Sequence, residues 1–99
     1  MVMLDKQKVC ALLAERKEEM RRLYGVTRLG LFGSFSRGEQ REDSDIDIVV
    51  ELESANMFRA FFGLKRYLER LLGRPVDLGL EHALKPAVRD RIGKEILYV

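Results

Sequence analysis

Two aspartates one residue apart, Asp45 and Asp47, follow a Gly33-Ser34 pair across ten intervening positions in the stretch LFGSFSRGEQREDSDIDIVVE. Side chains at i and i+2 of a strand share a face, with Cα atoms roughly 6–7 Å apart, so the two carboxylates can converge on one cation. Like charges on a mostly apolar strand repel, and partial burial adds to the cost, so the pair calls for a counter-ion. Mg²⁺ suits the site: it is commonly held by one or two carboxylates, with its shell completed by water and substrate phosphates. Such a phosphate needs its own cradle. Gly33 lets backbone approach an anion, Ser34 is placed to cap a short helix and offer its hydroxyl, and the first amides of that helix face the same anion.

Either fragment alone is a common device, a turn with a cap or a polar strand face. The combination is more specific, because Leu29, Leu31 and Phe32 form a short apolar strand leading into Gly33, and Ile46, Ile48, Val49 and Val50 form a second that carries the aspartates. Two rival motifs fail. Gly33-x4-Gly38 is followed by Glu39-Gln40 where a P-loop needs Lys and Ser or Thr, and Asp43-x-Asp45-x-Asp47 runs into Ile48 where a calcium loop needs Gly.

G-S-F-S-R-G followed by S-D-I-D-I-V-V resembles the Gly-Ser-x10-Asp-x-Asp signature of the DNA polymerase β-like nucleotidyltransferases, and among them the minimal nucleotidyltransferases. The signature spans Gly33 to Asp47, and the later order of elements follows the family over nearly the whole chain; Ser36 stands where Ala is more usual. The resemblance implies an α+β, two-layer fold with a small mixed sheet flanked by helices. It also implies a third carboxylate on the strand after the long helix, where Val76-Asp77-Leu78 stands, so that Asp45, Asp47 and Asp77 would be the catalytic and metal-binding set for two Mg²⁺ ions. Gly33 and Ser34 would hold the phosphates of a nucleoside triphosphate, ATP in this family, while Arg37 is read equally as a phosphate contact or a solvated residue. The expected reaction moves AMP onto a hydroxyl, by resemblance a tyrosine, of a partner HEPN-domain ribonuclease toxin, making this chain an antitoxin. The alternative is a non-catalytic module that binds nucleotide and silences its partner by covering it; transfer to a small molecule such as an aminoglycoside is a third reading. The oligomeric state of the chain stays open.

Ninety-nine residues suit one small domain over 1–99, and 46% apolar with 34% charged residues is an ordinary globular balance. Eighteen basic against sixteen acidic residues gives +2, too little to point to direct nucleic-acid binding. The single Cys10 cannot pair internally and reads as a small core residue. Asp5, Lys6 and Lys8 interrupt the leading stretch where a secretory signal needs an apolar run, and nothing is long and apolar enough for a membrane span, so the expected location is cytoplasmic.

The elements that must position these residues follow from periodicity. Val9, Leu12, Leu13, Met20 and Leu23 mark an amphipathic helix from about Lys6 to Leu23, ended by Gly25, with the charges of Glu15 to Arg22 on its solvated side. A second long helix spans Asn56 to Leu72, its stripe of Met57, Phe61, Leu64, Leu68 and Leu71 widened by Phe58 and Phe62; those two are read chiefly as core, with a partner surface as the other option. Gly73-Arg74-Pro75 stops it, Lys85-Pro86 opens a last helix through Ile92, and Glu95 to Val99 closes as a strand. His82, Arg74 and Arg89 receive no role.

Overall fold

The computed structural model describes residues 4–99, so residues 1–3, part of the stretch read for a leader, lie outside the described residues. The order is α1 (Lys6–Tyr24), β1 (Val26–Phe32), α2 (Gly33–Arg37), β2 (Ile46–Leu52), α3 (Met57–Leu72), β3 (Val76–Leu80), a 3-10 turn (Glu81–Ala83), α4 (Pro86–Ile92) and β4 (Leu97–Tyr98). The sheet order is β3-β2-β1-β4, with β1 antiparallel to β2 and β4, and β2 parallel to β3. The crossover through α3 is what makes the β2–β3 pair parallel. This is the expected α+β arrangement of helices on a small mixed sheet.

Local chemistry sets the helix ends. Asp5 caps α1 by accepting from the Lys8 amide at 2.9 Å, and Asn56 caps α3 by accepting from the Arg59 amide at 3.1 Å. Gly25 and Gly73 end these helices in the left-handed region.

Strand alternation sorts the sheet into two faces. Leu29 and Leu31 of β1, Ile46, Ile48 and Val50 of β2, and Val76 and Leu78 of β3 enter one core with Val9, Leu13 and Met20 of α1 and Ala60, Leu64 and Leu68 of α3. The residues between them, including Asp47 and Asp77, therefore face away from the α1–α3 layer. Gly30 leaves room on that other face: a Cβ there would lie 2.5 Å from Cγ2 of Ile96.

Four expectations need correction. Leu23 is 53% exposed, because the buried stripe of α1 ends at Met20 one turn before the helix does. Phe58 and Phe62, read chiefly as core, are 76% and 42% exposed; the sheet needs only the Ala60–Leu64–Leu68 side of α3, and no described element covers the far side. Asp45 precedes β2 rather than lying within it. Of Glu95 to Val99 only Leu97–Tyr98 is strand, since the Glu95 amide is spent on the Ile92 carbonyl in a turn closing α4.

Leu64, with no exposed surface, and Phe58 make a controlled pair. Leu64→Ala should cost about 2–5 kcal/mol through its cavity, and Phe58→Ala should stay within about 0.5 kcal/mol. Urea unfolding checks both; an equal loss for the two would contradict this division of α3.

Candidate functional site

Gly33 stands at the mouth of the site. Its φ is +75°, a conformation that side chains rarely adopt, and a Cβ there would lie 2.1 Å from Oδ2 of Asp47. The Asp47 carboxylate thus rests against the backbone at the start of α2, with Phe32 directly across the ladder from it. On its other side the parallel register sets Asp47 against Asp77. Asp45 stands just before β2, close enough for its charge to act on Asp47, and the start of β2 is tied to β3 by the Ile46 amide donating to the Pro75 carbonyl at 3.0 Å. Asp45 and Asp77 are exposed, while Asp47 is half-buried.

The electrostatics record this crowding. Desolvation, then the charges of Asp77 and Asp45, push the Asp47 carboxyl up from 3.8 to about 6, against a smaller lowering by Arg37. All three sequence-predicted aspartates therefore act on one point. Among the described residues, no three His, Cys, Asp or Glu side chains are drawn tightly enough to hold a metal ion as they stand. The aspartates share a face and a field rather than a closed cage, as mutually repelling carboxylates do. Hard oxygen donors with surplus negative charge fit Mg²⁺.

Ser34 does not cap α2. The helix begins at Gly33 after an extended Phe32, no side chain caps it, and Ser34 sits inside the first turn. The left-handed Gly33 makes the turn that a cap would otherwise direct. Arg37 ends α2 and pairs with Glu39 at 3.2 Å and Glu95 at 3.0 Å, so it is neither simply solvated nor free, and its field reaches Asp47.

Two supporting residues escaped sequence reasoning. Arg74 donates to the carbonyls of Arg41, at 3.2 Å, and Glu42, and its guanidinium lies 5.5 Å from the Phe35 ring centre, so it pins the loop that delivers Asp45. Glu95 accepts on its carbonyl from the Ser36 hydroxyl and on its carboxylate from Arg37, fastening the C-terminal segment to α2. Neither tie has a local signal, because the partners stand tens of residues apart in sequence. His82 lies on the same sheet face but near the opposite end of β2, with Nδ1 2.8 Å from Glu51.

Comparison with known proteins agrees with this geometry. Residues 13–99 match the family model of the nucleotidyltransferase domain. A relative from Thermococcus cleftensis, the protein adenylyltransferase MntA, is 40% identical over 99 residues, covering 100% of both chains. One from Methanocaldococcus jannaschii, proposed to be a protein adenylyltransferase, is 40% identical over 91 residues, 89% of this chain and 91% of that one. Among solved structures, a proposed minimal nucleotidyltransferase superposes with a TM-score of 0.76 at 34% identity over 98% of both chains. A toxin–antitoxin structure with AMP-PNP gives 0.67 at 25% identity, covering 96% of this chain and 72% of that one.

The raised Asp47 carboxyl fixes the sign of a pH effect. A folded pKa of about 6 against 3.8 means that the native state holds this proton more tightly, so its contribution to stability is full below 3.8 and is lost as pH rises to about 6. Thermal melts in chelator across that window should show the loss in the parent and not in Asp47→Asn, which should melt higher above it. Superimposable profiles would refute the crowding.

Proposed function

The chain belongs to the nucleotidyltransferase domain family, and from that premise we propose that it moves AMP from ATP onto a tyrosine hydroxyl of a HEPN-domain toxin and so acts as its antitoxin. The observation that carries the reading is the placement of Asp47 against both Gly33 and Asp77, which sets a phosphate turn and paired carboxylates within one small space. The adenylyltransferase relative and the toxin–antitoxin neighbour support the substrate and partner.

In this reading the backbone at Gly33 and Ser34 holds the outer phosphates, and Arg37 at the far end of α2 adds positive charge beside them. Asp45, Asp47 and Asp77 would hold Mg²⁺, which would supply charge neutralisation at the triphosphate and, with a second ion, acidification of the attacking hydroxyl. The acceptor oxygen attacks the α-phosphorus, the bond from that phosphorus to the bridging oxygen breaks, and pyrophosphate leaves from the Gly33–Ser34 side. Asp77 is exposed at the edge strand of the sheet, and in this reading it serves as ligand to the second ion or as acceptor of the hydroxyl proton. Positioning and charge carry most of such a reaction. In this reading the acceptor protein's own surface completes the site.

Asp45→Asn with Asp47→Asn should abolish transfer with the fold kept, because charge leaves while volume stays. Gly33→Ala should displace the Asp47 carboxylate and weaken binding of a non-hydrolysable ATP analogue, read by calorimetric titration; wild-type affinity would place the nucleotide elsewhere.

The pair itself supplies the decisive experiment. After co-expression, denaturing separation and refolding, the toxin should be heavier by one or more AMP groups and inactive as a ribonuclease. An unmodified toxin that regains activity would replace transfer by neutralisation through binding.

A further inference from the structure

The seam between α1 and α3 is lined by arginines that the transfer reading leaves unused. Tyr24 meets Gly63, where a Cβ would lie 2.9 Å from the Tyr24 ring, and the Tyr67 hydroxyl donates to Glu19 at 2.8 Å, so the two helices run antiparallel along it. Two adjoining clefts open there and share Leu23 and Tyr24. One, of about 330 Å³, has Arg59 and Arg66 in its wall; the other, of about 470 Å³, has Arg16 and Arg70. Arginine and tyrosine are the side chains most enriched where proteins hold one another tightly.

Charge says what would fit. The one acid in the walls of the two clefts, Glu19, is already engaged by Arg16 at 3.4 Å and by Tyr67. Arg59, Arg66 and Arg70 are exposed and make no ion pair among the described residues. Arg59 also stands in the first turn of α3, a turn without an acid, so it adds to the positive end of the helix dipole where an anion would balance it. Positions 59, 63, 66 and 70 form one stripe, with Gly63 clearing the space for Tyr24, and the three arginines follow one another at rises of about 10 Å and about 6 Å along the axis. A helix laid along the seam offers carboxylates at its own positions i, i+7 and i+11 with the same spacing. Leu23, 53% exposed in the wall that the clefts share, offers an apolar contact to the same ligand. A second copy docked through this seam would set the arginines against their own duplicates. Nucleic acid fits poorly as well: it stacks bases on open ring faces, whereas Tyr24 and Tyr67 meet edge-on with ring centres 5.7 Å apart. A net charge of +2 over the whole chain also gives a long polyanion little attraction beyond the clefts.

We propose that the α1–α3 seam binds an acidic helix of another protein, its carboxylates meeting Arg59, Arg66 and Arg70 and an apolar side chain seating against Leu23. Because α1 and α3 cover the sheet face opposite Asp47 and Asp77, a helix held there leaves the aspartates free. Docking at the seam therefore stands whether or not the chain transfers AMP.

The test titrates the full chain into two labelled synthetic helices that share one leucine and differ at positions i, i+7 and i+11, glutamate in one and glutamine in the other, and reads fluorescence anisotropy. The glutamate helix should bind at least about tenfold more tightly. Arg66→Glu with Arg70→Glu should remove that preference, and Leu23→Ser should weaken binding by about threefold or more, with circular dichroism and ATP-analogue binding unchanged. Lys85→Glu with Lys94→Glu, which makes the same change of net charge at exposed positions outside the seam, should bind like the parent. Equal binding of the two helices, binding of neither, or equal losses in the two charge-reversed variants would overturn the proposal. So would a dimer in sedimentation that Leu23→Ser abolishes, or displacement of the glutamate helix by a single-stranded oligouridine or by anionic vesicles.

Discussion

The close approach of the Asp47 carboxylate to the Gly33 backbone governs the functional half of this molecule. A carboxylate resting against main chain leaves no space for a Cβ, so the turn must be glycine, and the positive φ of Gly33 turns the chain directly into α2. The same contact keeps Asp47 half-buried beside Asp77 and Asp45, where desolvation and like charge hold its proton more tightly than in water. In the proposed reaction a cation would neutralise the carboxylates and a polyphosphate would occupy the turn, relieving this tension together. The site is thus unstable in its charges and rigid in its backbone, a pairing suited to reactions in which positioning and neutralisation are most of the work.

That arrangement depends on the sheet keeping its faces apart. The helices α1 and α3 cover one side and take Leu29, Leu31, Ile46, Ile48 and Val50 into a continuous core. A one-residue slip of β2 would exchange Ile46 and Ile48 for Asp47 and Val49, so burial of the isoleucines fixes the register that presents the aspartate. Core packing and site geometry are one constraint seen from two sides.

The open side is held by ties between distant segments. Arg74, just before β3, braces the loop leading to Asp45, and Glu95, just before β4, grips Ser36 and Arg37 of α2. Individually, the exposed Arg37 and Arg74 ties contribute little to stability. Their effect is geometric, limiting how far the loop and the short helix can drift from the aspartates. Membership of the nucleotidyltransferase family agrees with this economy, in which five residues of helix and one loop frame the aspartates.

Much of this was legible in the sequence because it is encoded locally. Gly33-Ser34 after an apolar strand, Asp45-x-Asp47 at the next strand, the long helix opening near Asn56 and the stops at Gly25 and Gly73 each depend on φ/ψ preference or periodicity within a few residues. Asp77 was placed by family resemblance, and only the parallel register of β2 and β3, made by the α3 crossover, sets it beside Asp47. Tertiary structure alone decided that Ser34 is not the cap, that Asp45 precedes its strand, that Leu23, Phe58 and Phe62 face outward, and that Arg74 and Glu95 brace the site. An amphipathic stripe says how wide the apolar face is, but which part is covered depends on elements far along the chain. The field at Asp47 likewise sums charges brought together from three segments, and no window of sequence contains them all.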